Sequence, residues 1–160
     1  MSAGERPGPL IAAAVLLGVG LGGFVDGIAL HQILQWHNML SSRVPPTDLV
    51  AMKYNMLWDG LFHAFTWIAT AIGLALLWRA VNGRRVPWPS RILVGGLLLG
   101  WGLFNLVEGT IDHQILRVHH VHPGDGQVAW DLGFLAFGAV LALAGAALSL
   151  PRPLVYARSQ

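Results

Sequence analysis

The sequence predicts an all-α membrane protein, a four-transmembrane-helix bundle built from two parallel-repeat helix pairs. Three observations carry this. The chain of 160 residues is 54% hydrophobic and 11% charged, well under the roughly 25% charged residues of an ordinary soluble domain. Four apolar runs, at residues 10–36, 57–78, 92–116 and 130–150, each reach the roughly 20 residues that cross a bilayer as a helix. One stretch also occurs twice. Gly27-Ile28-Ala29-Leu30-His31-Gln32-Ile33-Leu34-Gln35-Trp36-His37 returns as Gly109-Thr110-Ile111-Asp112-His113-Gln114-Ile115-Leu116-Arg117-Val118-His119. His31 and His113, like His37 and His119, stand 82 positions apart, and each copy is preceded by an acid, Asp26 or Glu108. A shared apolar alphabet does not produce that polar pattern twice. The chain therefore reads as a single membrane domain over residues 1–160, with repeat halves at 10–80 and 92–150.

Each element follows from its residues. The short tail carrying Arg6 precedes an apolar run, as in a signal peptide. The run is too long for one, shows no clear cleavage site and holds the first motif copy. Gly18, Gly20, Gly22 and Gly23 predict close helix approach, and the run ends at Trp36 and His37, where an interfacial aromatic is expected. In the first connection Pro45-Pro46 ends any continuing helix, and Thr47 or Asp48 is expected to cap a short helix running to Tyr54. The second run opens with Trp58-Asp59-Gly60, has His63 one turn on, and is apolar from Thr66 to Trp78. A basic turn follows, with Arg79, Arg84, Arg85 and Arg91 around Pro87-Trp88-Pro89. The third run is Gly-rich, then carries Asn105, Glu108, Asp112 and His113; its connection holds His119, His120 and His122. The fourth opens with Trp130-Asp131-Leu132-Gly133, echoing the second.

Basic residues set the orientation. The tails and middle turn hold Arg6, Arg79, Arg84, Arg85, Arg91, Arg152 and Arg158, against Arg43, Lys53 and Arg117 in the other connections. Seven against three places both termini in the cytoplasm of a multi-pass inner-membrane protein. The halves then share one topology, related by an axis along the membrane normal, and all seven histidines fall toward the outer face.

Several classes are excluded. Without cysteine there are no disulfides, thiolate metal sites or covalent haem attachments. A net charge of +2 with no basic patch interleaved with aromatics argues against nucleic acid. No Ser nucleophile pattern appears, although a zinc-bound water would need none.

Five of the eight acids, Asp26, Asp59, Glu108, Asp112 and Asp131, fall inside the apolar runs. Ionisable groups there are expensive, so they pair, bind something or line a wet cavity. With His31, His63 and His113 they read as one polar site in the outer half of the bundle. The expected metal constellation is His31, His63 and His113 with Asp59, Glu108 or Asp112, and Asp26, His37 and His119 are further candidate ligands. Asp59 and His63 share a helical face, as do Glu108 and Asp112. On an α-helix His31 and His113 lie about 140° round from Asp26 and Glu108, so acid and imidazole are not expected to face the same way. Mixed carboxylate and imidazole sets favour iron, zinc or manganese. Copper stays open through Met39, Met52 and Met56 near His37, and the Glu-x-x-His spacing of di-iron bundles is absent. Haem held by His31 and His113 is the alternative cofactor. A proton path is disfavoured because the cytoplasmic halves are featureless apolar helix. The plainer readings are that the motif histidines only hydrogen-bond between helices, that Asp59 and Asp131 are helix-start acids, and that His119, His120 and His122 form a solvated loop.

The repeated motif and Trp58-Asp59-Gly60-Leu61-Phe62-His63 resemble a bacterial family of membrane proteins, the domain of unknown function 2243. The resemblance spans nearly the whole chain. It implies a four-helix inner-membrane protein whose relatives keep genetic company with respiratory-oxidase assembly and copper handling, hence a membrane partner of that kind, or a structural or assembly role in that machinery without catalysis; a homo-oligomer is the other expected association. It implies no activity. The expected function is metal binding near the outer face, for redox chemistry, as in a metal-dependent oxidoreductase, or for handling of the metal.

Overall fold

The computed structural model describes residues 8–82 and 89–149. Arg6, Arg84, Arg85, Arg152 and Arg158, on which the orientation reading leans, lie outside the described residues, as does Leu150. The described residues are helical with no strand. Helix α1 spans Gly8–Asp26, α2 Leu49–Val81, α3 Ser90–Glu108 and α4 Gln127–Ser149. Two further segments, Gly27–Ile33 and Gly109–Ile115, continue α1 and α3 as π-helix. The four resulting helices are each long and apolar enough to cross a membrane.

Asp48 caps α2, its carboxylate accepting the N–H groups of Val50 and Ala51 at 2.8 and 2.9 Å. The short separate helix expected up to Tyr54 does not exist. No proline interrupts the 33 residues of α2, so those residues are its first turns. At roughly 1.5 Å per residue, the 33 residues of α2 are longer than a hydrocarbon core is thick.

Helices α1 and α3 pack on each other at the centre, α2 lies on α1, and α4 lies on α3. Apolar surface gains little by leaving lipid for a neighbouring helix, so backbone proximity has to supply the attraction. Glycine permits it. A Cβ on Gly18 would sit 2.9 Å from the Cα of Gly100, and one on Gly100 would strike the carbonyl of Val15. The outward faces of α2 and α4 carry exposed Phe65, Trp67, Val140 and Leu143, suited to lipid.

The C-terminal ends of α1 and α3 meet the N-terminal parts of α2 and α4 at one end of the bundle. The helices do not run on to His37 and His119, because Gln35 and Arg117 both adopt φ 51° and reverse the chain. The two connections then fold over this end and tie to each other, with Ser42 N–H donating to the Val118 carbonyl at 2.9 Å and Arg43 Nη2 to that of Leu116 at 2.6 Å.

Candidate metal centre

The π-helical segments change which side chains meet. With i→i+5 bonding, residues five apart come into register. His31 Nε2 lies 3.3 Å from Asp26 Oδ2, and His113 Nε2 lies 3.7 Å from Glu108 Oε1. The expected 140° separation of acid and imidazole is therefore corrected. Gly27 and Gly109 open the segments, and a Cβ on either would crowd the neighbouring helix, at His63 Nε2 (2.8 Å) or Leu135 Cδ2 (2.9 Å). The acid-Gly-x-x-x-His spacing was the available signal.

The chain reversals swing His37 and His119 back over the bundle end, where their rings stack at 4.6 Å. His31 meets His37 edge-on at 4.4 Å, and His113 meets His119 edge-on at 4.8 Å. All four are buried. Their Nδ1 atoms are turned outward. His37 Nδ1–H donates to the Val121 carbonyl at 2.9 Å, and His119 Nδ1–H to that of Met39 at 3.0 Å. His31 Nδ1–H donates to Asp59 Oδ1 at 3.0 Å, while His113 Nδ1 lies 3.6 Å from Asp131 Oδ1. For His37 and His119 the carbonyl acceptor fixes the Nδ1–H tautomer and leaves Nε2 as the lone pair; His31 has a carboxylate at each ring nitrogen, and neither nitrogen of His113 is hydrogen-bonded. His119 Nε2 sits 3.2 Å from Glu108 Oε1.

Asp59 and Asp131 anchor the connections and are not helix-start acids. Asp59 accepts the Met39 N–H at 2.8 Å and Asn38 Nδ2 at 2.8 Å. Asp131 accepts the Val121 N–H at 3.0 Å and His120 Nδ1–H at 2.7 Å. The expected solvated histidine loop is thus packed: His119 is fully buried, His120 is bound to Asp131, and His122 lies against Trp36 and Trp130 with ring centroids 5.1 and 5.9 Å away. Composition gave no sign of these roles.

Two groups among the described residues place one ligand atom each within 4.8 Å of the others: His31, His37 and His119, and Glu108, His113 and His119. Buried atoms without a hydrogen-bond partner gather here, namely His37 Nε2, Glu108 Oε2 and both ring nitrogens of His113, while Asp26 Oδ2 and His31 Nε2 have only each other, at 3.3 Å. Of the expected constellation, His31, His113 and Glu108 come together, joined by His37, His119 and Asp26. Asp59 stands behind His31. His63 is in neither group; its Nδ1–H donates to its own helix at the Asp59 carbonyl, 2.7 Å away, and it lines a side cavity of about 350 Å³ with Gln32, Met56, Asp59 and Gly60. Asp112 is half-buried on the opposite flank, facing another cavity.

Burial pushes the His37 imidazole down to about 2, and neighbouring His119 and His31 add to the effect. His119 is lowered by burial and then by His31. Both are neutral, the form that binds metal. The unfolded chain takes up protons below the ordinary value of 6.5, whereas folded His37 does not, so stability must fall as pH drops from there toward 2. The slope is about 1.4 kcal/mol per pH unit for one such histidine. Thermal unfolding of the metal-free protein in detergent should shift downward between pH 7 and 5, and His37→Gln should flatten the slope. A flat parent profile contradicts this account.

Nothing matches among curated proteins or among solved structures. The family described as "Predicted membrane protein (DUF2243)" matches residues 13–151. An all-helical chain with four spans and this paired acid-Gly-x-x-x-His pattern belongs to that family of membrane proteins.

Proposed function

We propose that the protein binds one transition-metal ion, or a pair bridged by His119, between the π-helical segments. One observation carries this: four buried imidazoles and Glu108 form two overlapping groups whose ligand atoms lie within 4.8 Å, with His119 in both, and His37 Nε2, Glu108 Oε2 and the His113 ring nitrogens there have no partner. Outer partners such as the carbonyls on His37 and His119 Nδ1 are typical of metal-ligating histidines. Without a cation, each unpaired buried atom costs about 1–3 kcal/mol. Imidazoles with one or two carboxylates suit iron, copper or zinc. Donors on a zinc-sized ion stand roughly 3.3 Å apart, so groups already within 4.8 Å need only modest contraction.

An ion is favoured over haem. The stacked His37 and His119 rings each contact both His31 and His113, which leaves no slot for a porphyrin between the latter two. The experiment is metal analysis of the detergent-purified protein with an optical spectrum. Non-haem metal at one or two per chain supports the reading. A Soret band selects haem, and a protein without metal returns the histidines to a structural role.

The metal serves redox chemistry or is itself the cargo. His63 and Met56, at the side cavity next to Asp59, would form an approach from the surface.

The halves 10–80 and 92–150 are proposed to be a parallel repeat within one domain. Matching contacts support it: His37 on Val121 and His119 on Met39, both pairs at the 82-residue offset, with Met39 on Asp59 and Val121 on Asp131, acids 72 residues apart. The proposed location is the bacterial inner membrane, termini in the cytoplasm and the centre near the outer face. A reporter fused after Gln160 should work only in its cytoplasmic form; activity of a periplasmic reporter there overturns the orientation.

A further inference from the structure

Because α2 packs mainly on α1 and meets α3 through Phe62 and Phe104, with ring centroids 6.0 Å apart, a cleft opens between α2 and α3 above α1. It has a volume of about 450 Å³, within the usual range for small-molecule sites. Its walls include Val19, Trp58, Phe62 and Phe104, and Glu108 and Asp112 line one part. The rim residues Leu61, Phe65 and Val107 are 52, 54 and 56% exposed on faces that meet lipid, so the cleft opens toward the bilayer. Glu108 is 5% exposed, and its Oε2 has no partner.

A comparison within the chain shows that this cleft is specific to one half. The other hairpin has a smaller cavity of about 180 Å³, lined by Val25, Asp26, Phe134 and Phe137 among others. Val25 and Asp26 match Val107 and Glu108 at an offset of 82, and Phe134 and Phe137 match Phe62 and Phe65 at an offset of 72. Where the large cleft has Val19, the small one has Trp101; where the large one has Asp112, the small one has Leu30. The smaller cavity is narrowed by Trp101 and carries one acid, Asp26, with Asn105; its counterpart is open and carries two acids, Glu108 and Asp112.

We propose that the open cleft binds a neutral, membrane-soluble molecule with an aromatic head bearing hydroxyl donors, of the alkylated hydroquinone class. The aromatic walls suit a flat ring, and the bilayer-facing rim suits a hydrocarbon tail. Glu108 and Asp112 have acceptors for hydroxyl hydrogens and repel phosphate or carboxylate heads. The otherwise apolar lining favours a neutral donor over a desolvated cation. Since Glu108 Oε1 also lies 3.2 Å from His119 Nε2, the head would end beside the proposed metal centre. Binding itself does not depend on that centre.

The test is equilibrium binding of a radiolabelled decyl-hydroquinone to the full chain in lipid nanodiscs, with metal measured on the same samples. Saturable binding near one per chain is expected, with the dimethyl ether at least tenfold weaker. Val107→Trp at the exposed rim and Asp112→Leu, which copies the narrowed half, should each weaken binding at least tenfold, and Val107→Trp should leave metal content unchanged. Equal binding of the ether, tighter binding of decyl-trimethylammonium, or unchanged binding in both variants overturns the proposal. Metal-free protein that still binds the hydroquinone overturns only the metal reading, and metal-loaded protein that does not bind it overturns only this one.

Discussion

His119→Ala is expected to lower metal affinity more than hundredfold and leave under a tenth of the parent's metal after purification. His119 is the one residue common to both ligand groups. Removing His31 or His37 leaves the Glu108, His113 and His119 group intact, and removing His113 leaves the other group. Loss of an outer partner alone typically costs 10–100-fold in metal affinity, so loss of a shared direct ligand exceeds that. His63→Ala should retain most of the metal, since His63 bonds to its own helix and stands outside both groups. Full occupancy in His119→Ala would remove the basis for the shared centre.

Asp59→Ala is expected to destabilise the protein by about 3–5 kcal/mol, the range for stripping one partner from a buried charged network. Its carboxylate holds His31 Nδ1–H, Asn38 Nδ2 and the Met39 N–H. Those donors would lose their acceptor together, and Met39 would no longer be positioned to receive His119 Nδ1–H. Asp59→Asn keeps the shape and one acceptor oxygen and should lose less. Chemical unfolding in detergent measures both. A loss under about 1 kcal/mol for Asp59→Ala would mean that the first connection is held elsewhere, with Asn55 the nearest candidate through Leu40 N–H and the Val44 carbonyl.

The four spans were legible because a bilayer imposes a length and a composition that any reading of the chain detects. The polar end was legible because carboxylates inside apolar runs demand partners. Its geometry was not. A reading at about 100° per residue turns His31 away from Asp26, whereas the π-helical segment brings them to 3.3 Å. Nothing in Gln35 or Arg117 as residue types announces a positive φ, so the return of His37 and His119 over the bundle was hidden. His63 was expected at the centre from its depth and its spacing to Asp59, but depth does not fix direction: its Nδ1–H bonds back to its own helix and its Nε2 lies beside Gly27, outside both ligand groups. Asp131 looked like a helix-start acid because its partners, Val121 and His120, lie in a connection whose path the sequence does not determine.

X-ray absorption at the metal edge of the purified protein tests the central claim most directly. The account predicts a first shell of nitrogen and oxygen at about 2.0–2.2 Å, with the outer-shell scattering of at least two imidazoles and no porphyrin signature. That shell should lose imidazole in His119→Ala and remain unchanged in His63→Ala. A shell of oxygen alone, a haem spectrum, or a protein that takes up no iron, copper or zinc would contradict it.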